Sequence, residues 1–245
     1  MSKSNKALTL TEIAKEINVP KSSALDLVYT LLEKGFIEVD NKDFKTYRLG
    51  VALFELGATA VNKNNLQTIS RPFLSELSAK TGKTVFLAVP KGAESVYINK
   101  IDGTSQIQSA CSIGALNPLH LTGLGKAILA GMTNQEVLNL LGEGPYEVRT
   151  ANTIEGYQRL IVELEQTRKR GYSIDNREGV DQLYCFGAPI YDYSNRIIAA
   201  VSLTMLDVER TRESDANDIK CITDTAMRIS RQMGYSGIRF YSEML

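Results

Sequence analysis

The stretch LTLTEIAKEINVPKSSALDLVYTLLEKG, residues 8–35, decides the fold of the N-terminal part of this chain. Thr9 and Glu12 stand three residues apart just before an apolar run, which is the capping-box signature of a helix start. Four apolar residues then recur with the period of one helix face: Leu10, Ile13, Ala14 and Ile17. After a break at 18–20, a second run places five more on one face: Ala24, Leu27, Val28, Leu31 and Leu32. Gly35 supplies a left-handed stop, so the stretch predicts two short helices joined by a tight turn, a helix-turn-helix.

The second helix and the segment after it offer polar side chains that suit DNA. The N-terminal end of a recognition helix meets base edges and phosphates, and here it carries Lys21, Ser22 and Ser23. Two β-rich runs, Phe36 to Val39 and Thr46 to Leu49, predict a hairpin that would form a wing, with three cations available to phosphates: Lys42, Lys45 and Arg48. An αα-hairpin inside a packed domain shows the same apolar faces, so the stretch alone leaves both roles open.

Composition limits the class of protein. The chain has 245 residues, enough for one large or two small domains, and 43% of them are hydrophobic. No signal peptide and no apolar run near the ~18 residues of a membrane span is present, and three scattered cysteines suggest neither disulfides nor a zinc site. A cytoplasmic protein without membrane contact is therefore expected. Basic and acidic residues balance at 28 each, so any DNA contact must rest on local geometry and dimerisation.

Beyond the wing, residues 51–65 predict a linker helix, which separates a DNA-binding domain at 1–50 from a second domain at 66–245. In the second domain, helices are predicted from Ser70 to Lys80, Gly123 to Gly131, Thr133 to Leu141, Thr153 to Arg170 and Ser214 to Gly234, with Ser70, Thr122, Thr133 and Thr153 as N-caps. Strands are predicted at Thr84 to Val89, Glu94 to Ile101, Gln106 to Ala110, Tyr184 to Tyr191 and Ile197 to Thr204, with a loop at 114–118. Interleaved helices and antiparallel strands indicate an α+β fold.

With both halves in view, the chain resembles the IclR family of transcriptional regulators. The resemblance extends from Leu8 to about Gly234, and Pro118 to Ala130 is its most specific segment. It is carried by LTLTEIA (8–14), VPKSSA (19–24), YRLG (47–50), SRPFLSELSAKTGKTVFLAV (70–89), PLHLTGLGKAILA (118–130), RGYSIDNREG (170–179) and GAPIYD (187–192). The resemblance implies a winged helix-turn-helix DNA-binding domain, a linker helix and a C-terminal GAF-like effector domain with an antiparallel sheet flanked by helices. It also implies a double-stranded DNA operator, a small organic acid effector, and homodimers or tetramers.

The sequence departs from the family pattern at three places. The first helix of the family's winged domain is not encoded ahead of residue 8, so either the sequence starts late or this domain is incomplete. Asp26 stands on the recognition helix where the family usually has a basic or neutral polar residue, and a carboxylate there would repel phosphate. Gln182 replaces the usual glycine in the loop after Glu178, so the turn of that loop is expected to differ.

The resemblance also places an effector site in the second domain. It carries the family's effector contacts onto Ser109, Gly123, Leu124, Asp175, Leu183, Cys185, Ser202 and Thr204. The residues themselves add that Gly123, Leu124 and Gly125 leave backbone N–H groups open at a helix N-terminus, which favours an anion. Ser202 and Thr204 lie two apart on one strand and therefore face the same side of the sheet. Taken singly, each hydroxyl is more often a satisfied core or surface group, but together with the other residues of the resemblance they predict a pocket for a small carboxylate that carries a hydroxyl or keto group.

No catalytic constellation or cofactor site is evident. His120 is the only histidine, and without further ligands it is expected to shape the pocket by hydrogen bonding, not to bind metal. Cys185 is expected to pack at the pocket wall as an unreactive thiol. A small-molecule sensor or GAF-like enzyme without DNA binding remains the alternative to a regulator, because a fold does not fix function. Turnover would need an acid–base or nucleophile pair, and the sequence suggests none.

Overall fold

The computed structural model describes residues 6–41, 43–53, 55–56, 66–104 and 111–241. The chain divides into two compact units, Met1–Asn65 and Leu66–Leu245. Among the described residues, no helix is both long and apolar enough to cross a bilayer.

The first unit contains the predicted helix-turn-helix and wing. Its elements are β1 (Leu8–Thr9), α1 (Leu10–Glu16), α2 (Lys21–Glu33), β2 (Ile37–Asn41) and β3 (Thr46–Leu49). The Thr9 hydroxyl accepts from the Glu12 N–H at 3.3 Å, and the Glu12 carboxylate accepts from the Thr9 N–H at 2.7 Å. This reciprocal pair confirms the predicted capping box. Gly35 has a φ of +69° after the last turn of α2, which confirms the predicted stop.

A small antiparallel sheet completes the first unit. Its strand order is β1-β3-β2, so the predicted hairpin is present and the unpredicted β1 adds a third strand. Ala24 and Val28 are buried on α2, whereas Leu27 is 49% exposed, so only part of the predicted apolar face lies in the core. Ala52, Leu53, Glu55 and Leu56 are helical at the start of the predicted linker helix. Most of the rest of that linker falls outside the described residues.

The second unit is an α+β fold built on six antiparallel strands in the order β6-β5-β4-β9-β8-β7. The strands are β4 (Thr84–Lys91), β5 (Glu94–Ile101), β6 (Leu116–Pro118), β7 (Ser173–Asn176), β8 (Leu183–Tyr191) and β9 (Ile197–Leu206). The helices are α3 (Leu66–Thr81), α4 (Gly123–Leu129), α5 (Asn134–Leu141), α6 (Tyr157–Arg170) and α7 (Arg212–Gln232). Helix α4 packs against β8 and β9, while α3 and α7 pack against each other. The buried core of this unit lies among these elements.

Two predicted helix starts are wrong. Helix α3 begins at Leu66, so Ser70 lies inside it and its hydroxyl donates to the Gln67 carbonyl at 3.2 Å. Helix α6 begins after Gly156, not after Thr153. The Thr153 hydroxyl instead donates to the backbone carbonyl of Glu178 at 2.7 Å. The Ser70 hydroxyl therefore bonds within its own helix, whereas Thr153 is used by a contact outside the local sequence.

The edges of the sheet also differ from prediction. Residues 116–118, predicted as loop, form β6 and pair with β5. Residues 173–176 form β7 on the opposite edge, which the sequence did not predict. The predicted strand from Gln106 to Ala110 lies outside the described residues. Both observed edge strands are too short to show a clear alternation of apolar and polar residues.

Candidate functional site

Three strands bring together residues that are far apart in sequence. Asp175 on β7 pairs with Cys185 on β8, and Cys185 pairs with Thr204 on β9. The Cys185 sulfur and the Thr204 hydroxyl are 3.4 Å apart. Ser202 lies two residues before Thr204, so its side chain leaves the same face of the sheet. This face therefore presents a carboxyl, a thiol and two hydroxyls within a small area.

A cavity of about 510 Å³ lies over this face of the sheet. Seven of the predicted effector contacts line it: Gly123, Leu124, Asp175, Leu183, Cys185, Ser202 and Thr204. Ser109, the eighth, lies outside the described residues. The remaining wall residues are Phe86, Tyr97, Cys111, Asn117, Thr122, Arg149, Gly179, Val180, Gln182 and Leu206. Gln182, one of the departures from the family pattern, thus stands on the cavity wall.

The prediction that Gly125 contributes to an anion site is wrong. Its N–H donates to the Thr122 hydroxyl at 2.9 Å, so the helix cap already uses it. Gly125 is buried, and a Cβ at this position would collide with the backbone of Leu119. Glycine is therefore required here for close packing and not for ligand access. Only Gly123 and Leu124 of the predicted N–H cluster reach the cavity wall.

Asp175 is the one carboxyl among the described residues that line the cavity. Burial raises its pKa to about 6, against the opposing attraction of the Lys126 ammonium. Its carboxylate accepts from the backbone N–H of Glu178 at 2.8 Å. Asp175 can thus change its charge near neutral pH, and when ionised it is an acceptor facing the cavity.

A buried ion pair involves the loop that follows Asp175. The Lys126 ammonium, on α4, contacts a Glu178 carboxylate oxygen at 2.5 Å, and its side chain is completely buried. The other carboxylate oxygen of Glu178 is buried with no hydrogen-bond partner among the described residues. The pair joins α4 to the loop after β7, because Lys126 and Glu178 belong to these two elements. It therefore fixes the backbone that carries Asp175.

Cys185 and His120 have side chains that serve the packing and hydrogen bonding of the fold. Burial raises the pKa of the Cys185 thiol well above its usual range, so it is neutral at physiological pH. The His120 ring nitrogen Nε2 lies 3.0 Å from the Glu147 carbonyl, and the ring is 5.0 Å from that of Tyr146. Burial lowers the pKa of His120. His120 does not line the cavity itself but supports the loop that leads to Arg149.

The sequence reasoning missed the polar groups at the other side of the cavity. Arg149 lines the wall and donates through Nη1 to the Asn117 side-chain oxygen at 3.2 Å. Tyr97, on β5, is buried and packs edge-on against Phe86 with ring centroids 5.1 Å apart. No local pattern marks Arg149, because it lies in the irregular segment between α5 and α6. A lone arginine in such a segment resembles any surface arginine in sequence.

Most of the residues predicted to contact DNA are exposed in the first unit. Lys21, Ser22 and Ser23 form the exposed first turn of α2, and Asp26 is exposed one turn later on the same side. Lys45 is exposed in the wing, whereas Lys42 lies outside the described residues.

Arg48 has acidic neighbours within the wing. Its guanidinium contacts the Glu38 carboxylate at 3.1 Å and the Asp40 carboxylate at 3.7 Å. Both carboxylates partly neutralise its charge. Part of the charge of Arg48 is therefore already compensated within the wing.

A winged helix-turn-helix unit with a polar, exposed end of α2, followed by an α+β unit that carries a cavity, is the architecture of a DNA-binding transcriptional regulator. Comparison of the chain with models of known protein families identifies its family. The chain matches the model of the IclR helix-turn-helix domain at residues 1–41 and that of the bacterial transcriptional regulator IclR C-terminal domain at residues 58–231. The chain belongs to the IclR family of transcriptional regulators, which confirms the resemblance drawn from the sequence.

Known proteins support the same assignment. The chain is 32% identical to the HTH-type transcriptional regulator XynR of Escherichia coli K12 over 93% of this chain and 90% of that protein. The crystal structure of Thermotoga maritima IclR is similar with a TM-score of 0.73 and 33% identity, covering 95% of this chain and 94% of that one. An IclR homologue from Microbacterium hydrocarbonoxydans, solved with 4-hydroxybenzoate, has a TM-score of 0.76 over 94% of this chain and 92% of that one. At 20% identity the last likeness shows the fold alone.

Proposed function

We propose that this protein is a transcriptional regulator whose affinity for an operator is set by a small organic acid bound in the cavity of the second unit. The observation that carries the proposal is the row of Asp175, Cys185 and Thr204 across three strands, with Ser202 beside it, on the wall of one cavity. Pockets of a few hundred Å³ with apolar walls and a few convergent polar groups are typical small-molecule sites.

Ser202 supports the proposal by its position on the cavity wall. It is 2% exposed and lines the cavity two residues before Thr204 on the same strand. A serine hydroxyl can both donate and accept a hydrogen bond. A bound hydroxy or keto acid would bond to this hydroxyl, while ionised Asp175 would accept from a ligand hydroxyl. With few heavy atoms and few charge-assisted contacts, such a ligand binds with a dissociation constant on the order of micromolar to millimolar.

The DNA side of the proposal rests on the exposed end of α2. Lys21, Ser22 and Ser23 would approach the major groove, and Lys45 would contact phosphate. Because one near-neutral winged unit offers few phosphate contacts, useful affinity requires a symmetric oligomer on an approximately palindromic site. The acid acts on this complex only if it binds one arrangement of the oligomer more tightly than the other.

Mobility shift on the DNA around the protein's own gene tests both halves of the proposal. The wild-type full chain should shift this duplex with sequence preference, and one or more acids from a panel of hydroxy and keto acids should change the midpoint. Ser202→Ala should reduce the response to the acid without changing binding to DNA in its absence. The matched control is Ser78→Ala, since Ser78 is also a buried serine but lies on α3, away from the cavity wall.

Two outcomes would contradict the proposal. A protein that binds an acid yet shows no preference among DNA sequences would be a sensor without DNA binding. A response to the acid that survives Ser202→Ala undiminished would place the ligand elsewhere.

A further inference from the structure

The polar groups of the cavity lie in two separate places. Asp175 belongs to β7, one edge strand of the sheet, and Cys185 and Thr204 lie on the two strands next to it. Asn117 belongs to β6, the opposite edge strand, and it accepts from Arg149. Four strands, β5, β4, β9 and β8, lie between these two edge strands in the sheet. The cavity therefore has a carboxyl and hydroxyl end and a guanidinium end.

Apolar side chains line the rest of the cavity. Phe86 lies on β4, between the two edge strands, while Leu124 comes from α4, and Leu183 and Leu206 belong to β8 and β9. The volume of about 510 Å³ lies within the range of pockets that enclose drug-sized molecules. A three-carbon acid would engage one end and leave the other without a partner. The shape and chemistry of the cavity suit a longer molecule.

Arg149 is held in place by its own backbone. Its N–H donates to the Thr153 hydroxyl at 3.1 Å, and the same hydroxyl donates to the Glu178 carbonyl at 2.7 Å. The neighbouring Thr150 is buried and donates to the Arg177 carbonyl at 2.7 Å. The loop of Arg149 is thus attached to the segment that follows Asp175. Such attachment reduces the entropy lost when a side chain engages a ligand.

The guanidinium of Arg149 retains donors for a ligand. Its Nε donates to the Glu147 carboxylate at 2.7 Å and its Nη1 to Asn117 at 3.2 Å, while Nη2 donates to no described residue. Glu147 is half exposed, so this ion pair is weak and solvent-screened. Among the described wall residues, Arg149 is the only cation. The Tyr97 hydroxyl, also on the wall, has no hydrogen-bond partner among the described residues.

We propose that Arg149 binds the carboxylate of the effector, and that the effector is an elongated acid whose far end carries a hydroxyl that bonds to Asp175 and Thr204. This inference rests on the proposed function, because it concerns the same cavity. It assigns the carboxylate of the ligand to the Arg149 side chain and not to the backbone N–H groups at the start of α4. It also selects a class of ligand: a carboxylate and a hydroxyl separated by a body that spans the apolar middle of the cavity.

Calorimetry on the full chain with three probes tests the class of ligand. The body of such an acid can be an aromatic ring or a polyol chain, represented by 4-hydroxybenzoate and D-gluconate. Lactate is the short probe, because its hydroxyl and carboxylate are on adjacent carbons. At least one of the two elongated acids should bind at least tenfold more tightly than lactate. Equal or tighter binding of lactate, or failure of both elongated acids to bind, would overturn the inference.

Variants of Arg149 test the residue. Arg149→Gln should weaken binding of the elongated acid by about 10- to 100-fold, the usual loss for a hydrogen bond to a charged group, and Arg149→Lys should fall between it and the wild type. The matched control is Arg196→Gln, since Arg196 also forms a surface ion pair with a carboxylate but lies away from the cavity. The uncharged amide of the same acid should bind the wild type weakly and be insensitive to Arg149→Gln.

The outcomes separate this inference from the proposed function. An acid whose binding is lost in Ser202→Ala but unchanged in Arg149→Gln refutes the role of Arg149 and leaves the proposed function standing. An acid that depends on Arg149 but does not change the affinity for DNA refutes the proposed function and leaves the ligand assignment standing. Asp175→Asn adds a check on orientation, because it replaces a charged acceptor with a neutral one and should reduce the advantage of 4-hydroxybenzoate over benzoate.

Discussion

Replacing Asp175 with asparagine should make the empty protein more stable at neutral pH. The pKa of Asp175 is raised from 3.8 to about 6 by burial, so the folded protein binds this proton more tightly than the unfolded chain does. Stability is therefore highest below the unfolded pKa, falls as the pH rises from about 4 to 6, and stays reduced above that. At about 1.4 kcal/mol per pH unit, the ionised carboxyl costs about 3 kcal/mol.

Part of this gain is offset by lost hydrogen bonding. The Asp175 carboxylate accepts from the Glu178 N–H and also from the backbone of Gly179. An asparagine has one acceptor oxygen for both, and losing one hydrogen bond costs about 1 kcal/mol. The net gain at pH 8 is then about 2 kcal/mol. For a unit of this size, that corresponds to a melting temperature about 4–8 °C higher.

Thermal unfolding of the full chain at pH 8 and at pH 4.5 checks this prediction. The melting temperature of the second unit should rise in Asp175→Asn at pH 8, with no gain or a small loss at pH 4.5. Asp192→Asn is the control of opposite sign. Burial tends to raise the pKa of Asp192, but hydrogen bonds from Ser194 and Arg196 outweigh it and lower that pKa. A gain of the same size at both pH values, or none at pH 8, would refute the reasoning.

Three further substitutions should have distinct effects. Lys126→Met leaves the buried Glu178 carboxylate without its partner, so urea unfolding should show a loss of about 3–5 kcal/mol, and adding Glu178→Gln should restore part of it. Gly125→Ala places a Cβ against the backbone of Leu119, so melting should occur at a clearly lower temperature; an unchanged value would contradict the packing. Asp26→Asn removes a negative charge from the exposed side of α2, the side that also carries Lys21. Fluorescence anisotropy should then show either tighter binding to all DNA or a loss of affinity confined to sites with one particular cytosine. Unchanged binding to every duplex would mean that Asp26 faces away from DNA.

Local signals allowed much of the fold to be predicted. The capping boxes of Thr9 with Glu12 and of Thr133 with Glu136 both form. Gly35 and Gly171 end their helices with positive φ, as predicted. These signals succeed because the interacting groups lie within one helical turn. The conformation then depends on few residues outside the stretch that encodes it.

Contacts between distant residues could not be predicted in the same way. Thr153 has the residue type and spacing of a helix cap, but its hydroxyl donates to the Glu178 carbonyl instead. Arg149 reaches the cavity because its loop is attached to the segment after β7, which no pattern within the loop indicates. The seven residues that were predicted as effector contacts and that line the cavity came from the family resemblance, since no local spacing joins β7, β8, β9 and α4. These residues come together through the topology of the sheet. Patterns in a single sequence contain little information about that topology.

The free energies assigned to Asp175 and to the ligand are of the same size. A ligand that binds only the folded protein stabilises it by about 2.7 kcal/mol at a hundredfold excess over its dissociation constant. Without a bound ligand, keeping Asp175 ionised costs about 3 kcal/mol because of its raised pKa. A saturating effector would therefore return the second unit to about the stability that Asp175→Asn has without ligand.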